Sequence, residues 1–142
     1  NPVPDNVQQL LAKEVATVGV ANPDHAPYGK ATVEALKTAG VWEQLLAEEG
    51  KVIFGESVGE VNQKALLCAV DVSITNKSVL FSPDVTEGNW VEIDTSLYHP
   101  IEQGIIITKH GADNNKKHAQ EFYDFVFSES ARKILKQYGY KV

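Results

Sequence analysis

Short apolar runs alternate along this chain with longer stretches in which apolar positions recur every three or four residues. Residues 16–21 read as a short buried strand, Lys51-Val52-Ile53-Phe54 reads as a strand, and Val72-Ser73-Ile74-Thr75 alternates as a strand does. Between the first two, residues 28–39 carry Ala35, Leu36 and Ala39 on one helical face, with Gly40 as the stop. Residues 41–48 read as a second short helix. Ser57 with Glu60 fits a capping box opening a helix that runs to about Val70. Ahead of these, Asp5 reads as the N-cap of a helix carrying Val7, Leu10 and Leu11 at helical spacing. Further on, residues 82–88 read as a loop, 90–93 as a strand, and Tyr98-His99-Pro100 as an extended linker. Residues 104–108, Gly-Ile-Ile-Ile-Thr, read as a β-branched strand buried on both faces. Ala119, Phe122, Tyr123 and Val126 form a helical stripe. Ser128 caps a last helix with Ala131, Ile134, Leu135 and Tyr138 inward, ended by Gly139.

Strands alternating with helices predict an α/β fold with a largely parallel sheet. Ligands of such sheets sit at the carboxyl ends of the strands, beside helix starts. Two turns fall on that edge. The first is Asn22-Pro23-Asp24-His25-Ala26-Pro27-Tyr28-Gly29-Lys30, where Pro27 enters the helix and the amides of Tyr28, Gly29 and Lys30 are expected to be unpaired. The second is Gly55-Glu56-Ser57-Val58-Gly59, where the Ser57 hydroxyl serves the Glu60 amide and leaves those of Val58 and Gly59. Gly59 also allows a ligand or another backbone to come close. Two helix starts aimed into one cleft make an anion site that needs no Lys or Arg. Asn76, just after the third strand, could add a side-chain donor. Taken alone, each turn reads first as an ordinary helix start that binds only water.

The chain has 142 residues, 43% hydrophobic and 23% charged, an ordinary balance for one domain with a real core. Its formal net charge of -6 argues against nucleic acid and an anionic membrane surface, but not against a small anion held by local amides. Its one cysteine, Cys68, lies in an apolar stretch and reads as a small buried hydrophobe, excluding an internal disulfide or a thiolate zinc site. No apolar run is long enough to span a membrane, and no signal peptide is visible at the opening Asn1-Pro2-Val3-Pro4.

Competing chemistries find less support. A phosphate-binding P-loop ending at Gly29-Lys30 needs Gly at position 24 and Ser or Thr at 31, where the chain has Asp24 and Ala31. His25, His99, His110 and His118 lack metal-ligand spacing; His25 is expected to order its turn and the last two to be exposed. No nucleophile signature or defensible acid–base pair is present, so no enzyme, metal site or cofactor is expected. Asp84, Glu87 and Glu92 read as a solvated face, and Phe122, Tyr123, Phe125 and Phe127 as core or interlobe packing.

Four segments in order resemble one family. Ala21-Asn22-Pro23-Asp24-His25-Ala26-Pro27-Tyr28-Gly29 is similar to the A-N-P-[ED]-H-A-P-Y-G run of the periplasmic molybdate-binding proteins of ABC importers. Phe54-Gly55-Glu56-Ser57-Val58, His99-Pro100-Ile101-Glu102-Gln103-Gly104 and the pair Ser128-Glu129-Ser130-Ala131-Arg132 with Tyr138-Gly139-Tyr140 resemble its other motifs. The resemblance implies a two-lobed type II periplasmic binding protein, closing on molybdate or tungstate, of which this chain is the C-terminal portion with the first lobe incomplete. It implies an N-terminal helix and lead-in at 1–14, the second ligand-binding lobe at 15–97, and a return segment with C-terminal helices at 98–142 that packs on the first lobe. It places backbone-amide contacts at Tyr28 and Val58 and a side-chain contact, often tyrosine, at Asn76, where this sequence departs from the family. Delivery to a membrane permease in the periplasm follows, and sulfate or phosphate, or an interaction module without ligand, are the alternatives. The partnerless apolar faces predict that the fragment self-associates.

Overall fold

The computed structural model describes residues 4–81 and 88–142. The loop expected at 82–88, with Asp84 and Glu87, lies outside the described residues except for Gly88. The chain divides into two compact units: the described residues of Asn1–Asn76 with Thr86–Ile101, and those of Lys77–Val85 with Glu102–Val142.

The first unit is built on a three-stranded parallel sheet in the order β2-β1-β3, with β1 at Val18–Ala21, β2 at Val52–Gly55 and β3 at Val72–Ser73. Val18 pairs with Val52 on one side and Val72 on the other, and Ala21 pairs with Gly55. Every residue of β1 is buried, as a central strand covered on both faces requires. Helices α1 (Pro27–Thr38) and α2 (Trp42–Ala47) connect β1 to β2, and α3 (Val58–Leu66) connects β2 to β3. Val18, Val20, Leu36, Val41, Trp42, Leu45 and Ile74 form the main core with Val7, Leu10 and Val15. A smaller cluster of Ala21, Ala26 and Val61, with Val58 against it, sits where β1 and α3 meet.

Several elements differ from the sequence reading for identifiable reasons. The first strand begins at Val18 because the amides of Ala16 and Thr17 instead donate to the Asp71 carboxylate, at 2.9 and 2.8 Å. The opening turn, Val7–Leu11, is a 3-10 helix capped by Asn6, which accepts from Gln9 N–H, rather than by Asp5. Helix α3 stops at Leu66, four residues early, because Cys68 adopts a left-handed backbone (φ 54°) that breaks the helix. Cys68 is exposed, not buried. The third strand is two residues long. Ile74 N–H still reaches Gly19 O, while the Thr75 hydroxyl turns to Asn62 Oδ1. Residues 90–93 form no strand, and Trp90 and Val91 are about half exposed. The linker at 98–100 is anchored to α1, since Glu34 accepts from the backbone N–H of His99 (3.2 Å) and from its ring Nδ1.

In the second unit, residues 104–108 are not a buried strand: no described strand pairs with them, and Ile106 is 81% exposed. Helices α4 (Lys77–Leu80), α5 (Lys109–Asn114), α6 (Lys116–Val126) and α7 (Glu129–Gln137) make up the rest. Ser128 caps α7 by accepting from Ala131 N–H, as its position predicts. Of the residues expected to point inward on α7 only Ala131 is buried, and Phe122, Phe125 and Phe127 are exposed rather than core. Among the described residues, a stripe of the right period is therefore only partly covered.

Asp71 gives a pH prediction. Its carboxyl is held below the ordinary value of 3.8, first by the backbone N–H of Thr17, then by the Thr17 hydroxyl and the Ala16 N–H. A carboxyl depressed in the folded state adds stability above its unfolded pKa and loses it as pH falls through the lower folded value. Thermal unfolding scanned from neutral pH down to about pH 3 should show Asp71→Asn less stable than the parent at neutrality, with the gap closing in acid. A gap that stays constant with pH would remove the carboxylate's charge from the explanation.

Candidate functional site

The carboxyl ends of β1, β2 and β3 lie on one edge of the sheet because all three run parallel. Three of the predicted features follow these ends. The first turn winds around Asn22, whose N–H donates to Gly55 O (2.8 Å), whose side-chain oxygen accepts from Asp24 N–H (2.9 Å), and whose carbonyl accepts from Ala26 N–H (2.9 Å). This delivers Ala26 as the N-cap of α1 in an extended conformation (φ -105°, ψ 116°), with Pro27 at the first helical position. An alanine has no oxygen to cap with, and no side chain caps this helix start. Tyr28 and Gly29 occupy its second and third positions. The Lys30 amide, expected to be unpaired, instead donates to Ala26 O at 3.0 Å as the first internal bond of the helix.

Gly29 has a packing role that its spacing did not reveal. A Cβ there would stand 2.3 Å from Ala21 O and 2.8 Å from Asn22 O, both backbone atoms. The first turn of α1 thus sits directly on the end of β1, which only glycine permits.

The second turn is capped. Ser57 Oγ accepts from Glu60 N–H (3.2 Å), as the sequence predicts. The reciprocal arm is displaced by one residue: the Glu60 carboxylate accepts from the Glu56 N–H at 2.8 Å, not from Ser57. Glu60 also pairs with Lys64 at 3.0 Å, and its carboxyl is held below its ordinary value first by the Glu56 amide and next by Lys64. Val58 and Gly59 are the first two residues of α3, and the cap engages neither of their amides. An alanine at Gly59 would meet only Ser57 Oγ at 3.7 Å, so the close backbone approach expected there is found at Gly29 instead.

The two turns are joined by a contact the motifs do not announce. His25 Nε2 donates to Glu56 Oε2 at 2.7 Å. His25 therefore orders its turn, as expected, by gripping the other one.

Asn76 follows β3 with a buried side-chain oxygen that has no hydrogen-bond partner among the described residues; the hydroxyl of Ser73 is in the same state. Orphaned buried polar atoms are rare enough to call for an explanation. An amide can turn over without change of shape and present N–H in place of oxygen. Ser73 was not singled out in the sequence, where its alternation marks it only as a strand residue. A shallow groove of about 330 Å³ along α1, lined by Pro23, Lys30, Val33, Glu34, Lys37 and Thr38, includes none of these site residues. Among the described residues no group of three His, Cys, Asp or Glu side chains could hold a metal ion, and no helix is long and apolar enough to cross a membrane.

Comparison with known proteins decides the family. The family model described as bacterial extracellular solute-binding protein matches residues 1–141. The chain belongs to the bacterial extracellular solute-binding protein family.

Curated relatives of this chain include the molybdate-binding protein ModA of Rhodobacter capsulatus, 29% identical over 136 residues, which are 96% of this chain and 51% of that protein. ModA of Azotobacter vinelandii is 30% identical over 124 residues, 87% of this chain and 47% of that one. The chain thus spans about half the length of the curated relatives it matches. Among solved structures, the periplasmic molybdate-binding protein of Azotobacter vinelandii superposes with a TM-score of 0.85 at 27% identity, over 97% of this chain and 59% of that one. A substrate-binding domain from Clostridium difficile, at 24% identity and a TM-score of 0.64, shares the fold over 97% of this chain and 58% of its own. The α/β fold with a parallel sheet is that of the periplasmic binding proteins.

Proposed function

We propose that this chain supplies the second-lobe half of an oxyanion site, and that the protein containing it is an extracytoplasmic binding protein, not an enzyme, which captures molybdate or tungstate and hands it to an ABC permease. The observation that carries this reading is the helix start of α1. Its N-cap is an alanine that cannot cap, yet the turn before it is wound tightly enough to hold that start at the sheet edge. A helix start without a capping side chain is suited to an acceptor from outside, and a tetrahedral dianion is such an acceptor. In this reading the amides of Tyr28 and Gly29 meet the ligand from β1. Those of Val58 and Gly59, beside the Ser57 cap, meet it from β2. The Asn76 side chain meets it from β3, its amide turned over so that N–H takes the place of the oxygen left without a partner there. Neutral donors hold a dianion by charge-assisted hydrogen bonds without a counter-charge, consistent with an acidic chain. The molybdate-binding relatives support the choice of ligand.

Thermal unfolding of the full-length protein with molybdate, tungstate, sulfate and phosphate tests this directly. A ligand that binds only the native state at about 100 times its Kd stabilises it by about 2.7 kcal/mol. Molybdate and tungstate are expected to raise the Tm and sulfate and phosphate to leave it unchanged. A shift with sulfate or phosphate alone would reassign the ligand, and no shift with any would sink the binding reading.

A further inference from the structure

We infer that His25 is a positioning residue whose task is to occupy the Glu56 carboxylate and so keep a negative side chain from opposing an anion at the second turn. The inference rests on the oxyanion reading above and adds to it a residue that does not itself touch the ligand. Glu56 lies between Gly55 and Ser57, two residues before the Val58 amide. A free carboxylate in this turn would add a negative charge near a dianion held by the Val58 amide, in a site whose neutral donors offer nothing to offset the repulsion. In the structure that carboxylate is taken up from the opposite turn, with His25 Nε2 donating to Glu56 Oε2 at 2.7 Å.

The neighbouring acid is treated in the same way. Glu60 is bound to the Glu56 N–H and paired with Lys64 at 3.0 Å, so both carboxylates beside this helix start face a basic partner. The pair is a poor candidate for a purely structural tie, because its side chains are 54% and 77% exposed and an exposed pair adds little to folding. Its placement across the two turns gives it a role in binding instead.

Calorimetric titration of the full-length protein with molybdate distinguishes the cases. His25→Ala is expected to bind about tenfold more weakly, since it frees the carboxylate. Glu56→Gln is expected to bind about twofold more tightly, and the double variant His25→Ala/Glu56→Gln to return close to the parent. The His25→Ala defect should shrink at high salt, which screens the freed charge. An exposed pair adds little to global stability even where it orders a turn, so the Tm of all three without ligand should lie within a few degrees of the parent. Parent-like binding by His25→Ala would overturn the inference, as would a double variant no tighter than His25→Ala alone. A parent that binds none of the four oxyanions would instead overturn the oxyanion reading, and this inference with it.

Discussion

Gly29→Ala should lower the melting temperature by roughly 12–24 °C, the largest effect of any single methyl group added to this site. The new Cβ would stand 2.3 Å from Ala21 O, 2.8 Å from Asn22 O and 2.9 Å from Ala21 C. All three belong to the backbone at the end of β1, and that segment cannot retreat easily. Asn22 N–H is bonded to Gly55 O, and Ala21 is in register with Gly55. The helix must therefore move, pulling Ala31, Ala35 and Leu36 away from the buried positions they hold. Overpacking against fixed atoms costs about 3 kcal/mol, and in a unit of this size each kcal/mol shifts Tm by about 4–8 °C. Gly59→Ala is the control, because its Cβ meets only Ser57 Oγ at 3.7 Å. Scanning calorimetry of the two variants decides the matter: a Gly29→Ala protein melting within a degree or two of the parent would mean the helix start is not seated on the strand.

Val58→Pro should leave the fold intact and weaken molybdate binding by roughly tenfold to a hundredfold. Proline is well suited to the first position of a helix, where its fixed φ is already the helical one. It also asks the preceding residue to be extended, and Ser57 is so, at φ -145° and ψ 163°. The substitution therefore removes one N–H and exchanges the valine packed against Ala21, Ala26 and Val61 for a proline ring, which keeps apolar surface at that place. If that N–H donates to a dianion, its loss removes a charge-assisted bond of about 1.5–3 kcal/mol, which is roughly the stated loss of affinity. Isothermal titration would measure it, with the ligand-free Tm as the check on folding. Unchanged affinity in a well-folded Val58→Pro protein would take the second turn out of the site.

The elements that hold the sheet edge were readable from the sequence because their determinants are local. Pro27 and Gly40 bound α1 to within a residue, Ser57 marks the start of α3, and the period of Ala35 and Leu36 gives the buried face. What was not readable depended on atoms distant in sequence. The Asp71 carboxylate shortened β1 by drawing off the Ala16 and Thr17 amides. Residues 104–108 carry the strongest strand propensity in the chain, yet propensity does not supply a neighbouring strand, and among the described residues none is there. The exposed phenylalanines of α6 repeat the lesson for helices, since a period of 3.6 states which side is apolar and not what covers it. At the site, glycine at position 29 was visible as a residue type, but its reason was the carbonyl of Ala21. The His25–Glu56 contact had no signal beyond the presence of an ionisable residue in each turn.

The position of β1 between two strands that come later in the chain governs how this unit can fold. Val18 waits for Val52 and then for Val72 before either of its ladders exists. Parallel pairs cannot be closed by a hairpin, so each requires a long loop to be closed before any bond repays it. Until then Val18-Gly19-Val20-Ala21 is an apolar segment with both backbone edges open, which is the kind of segment that joins other chains. Folding should accordingly be slow for a unit of this size, and limited by the arrival of β2 and β3 rather than by the helices, which form from neighbouring residues.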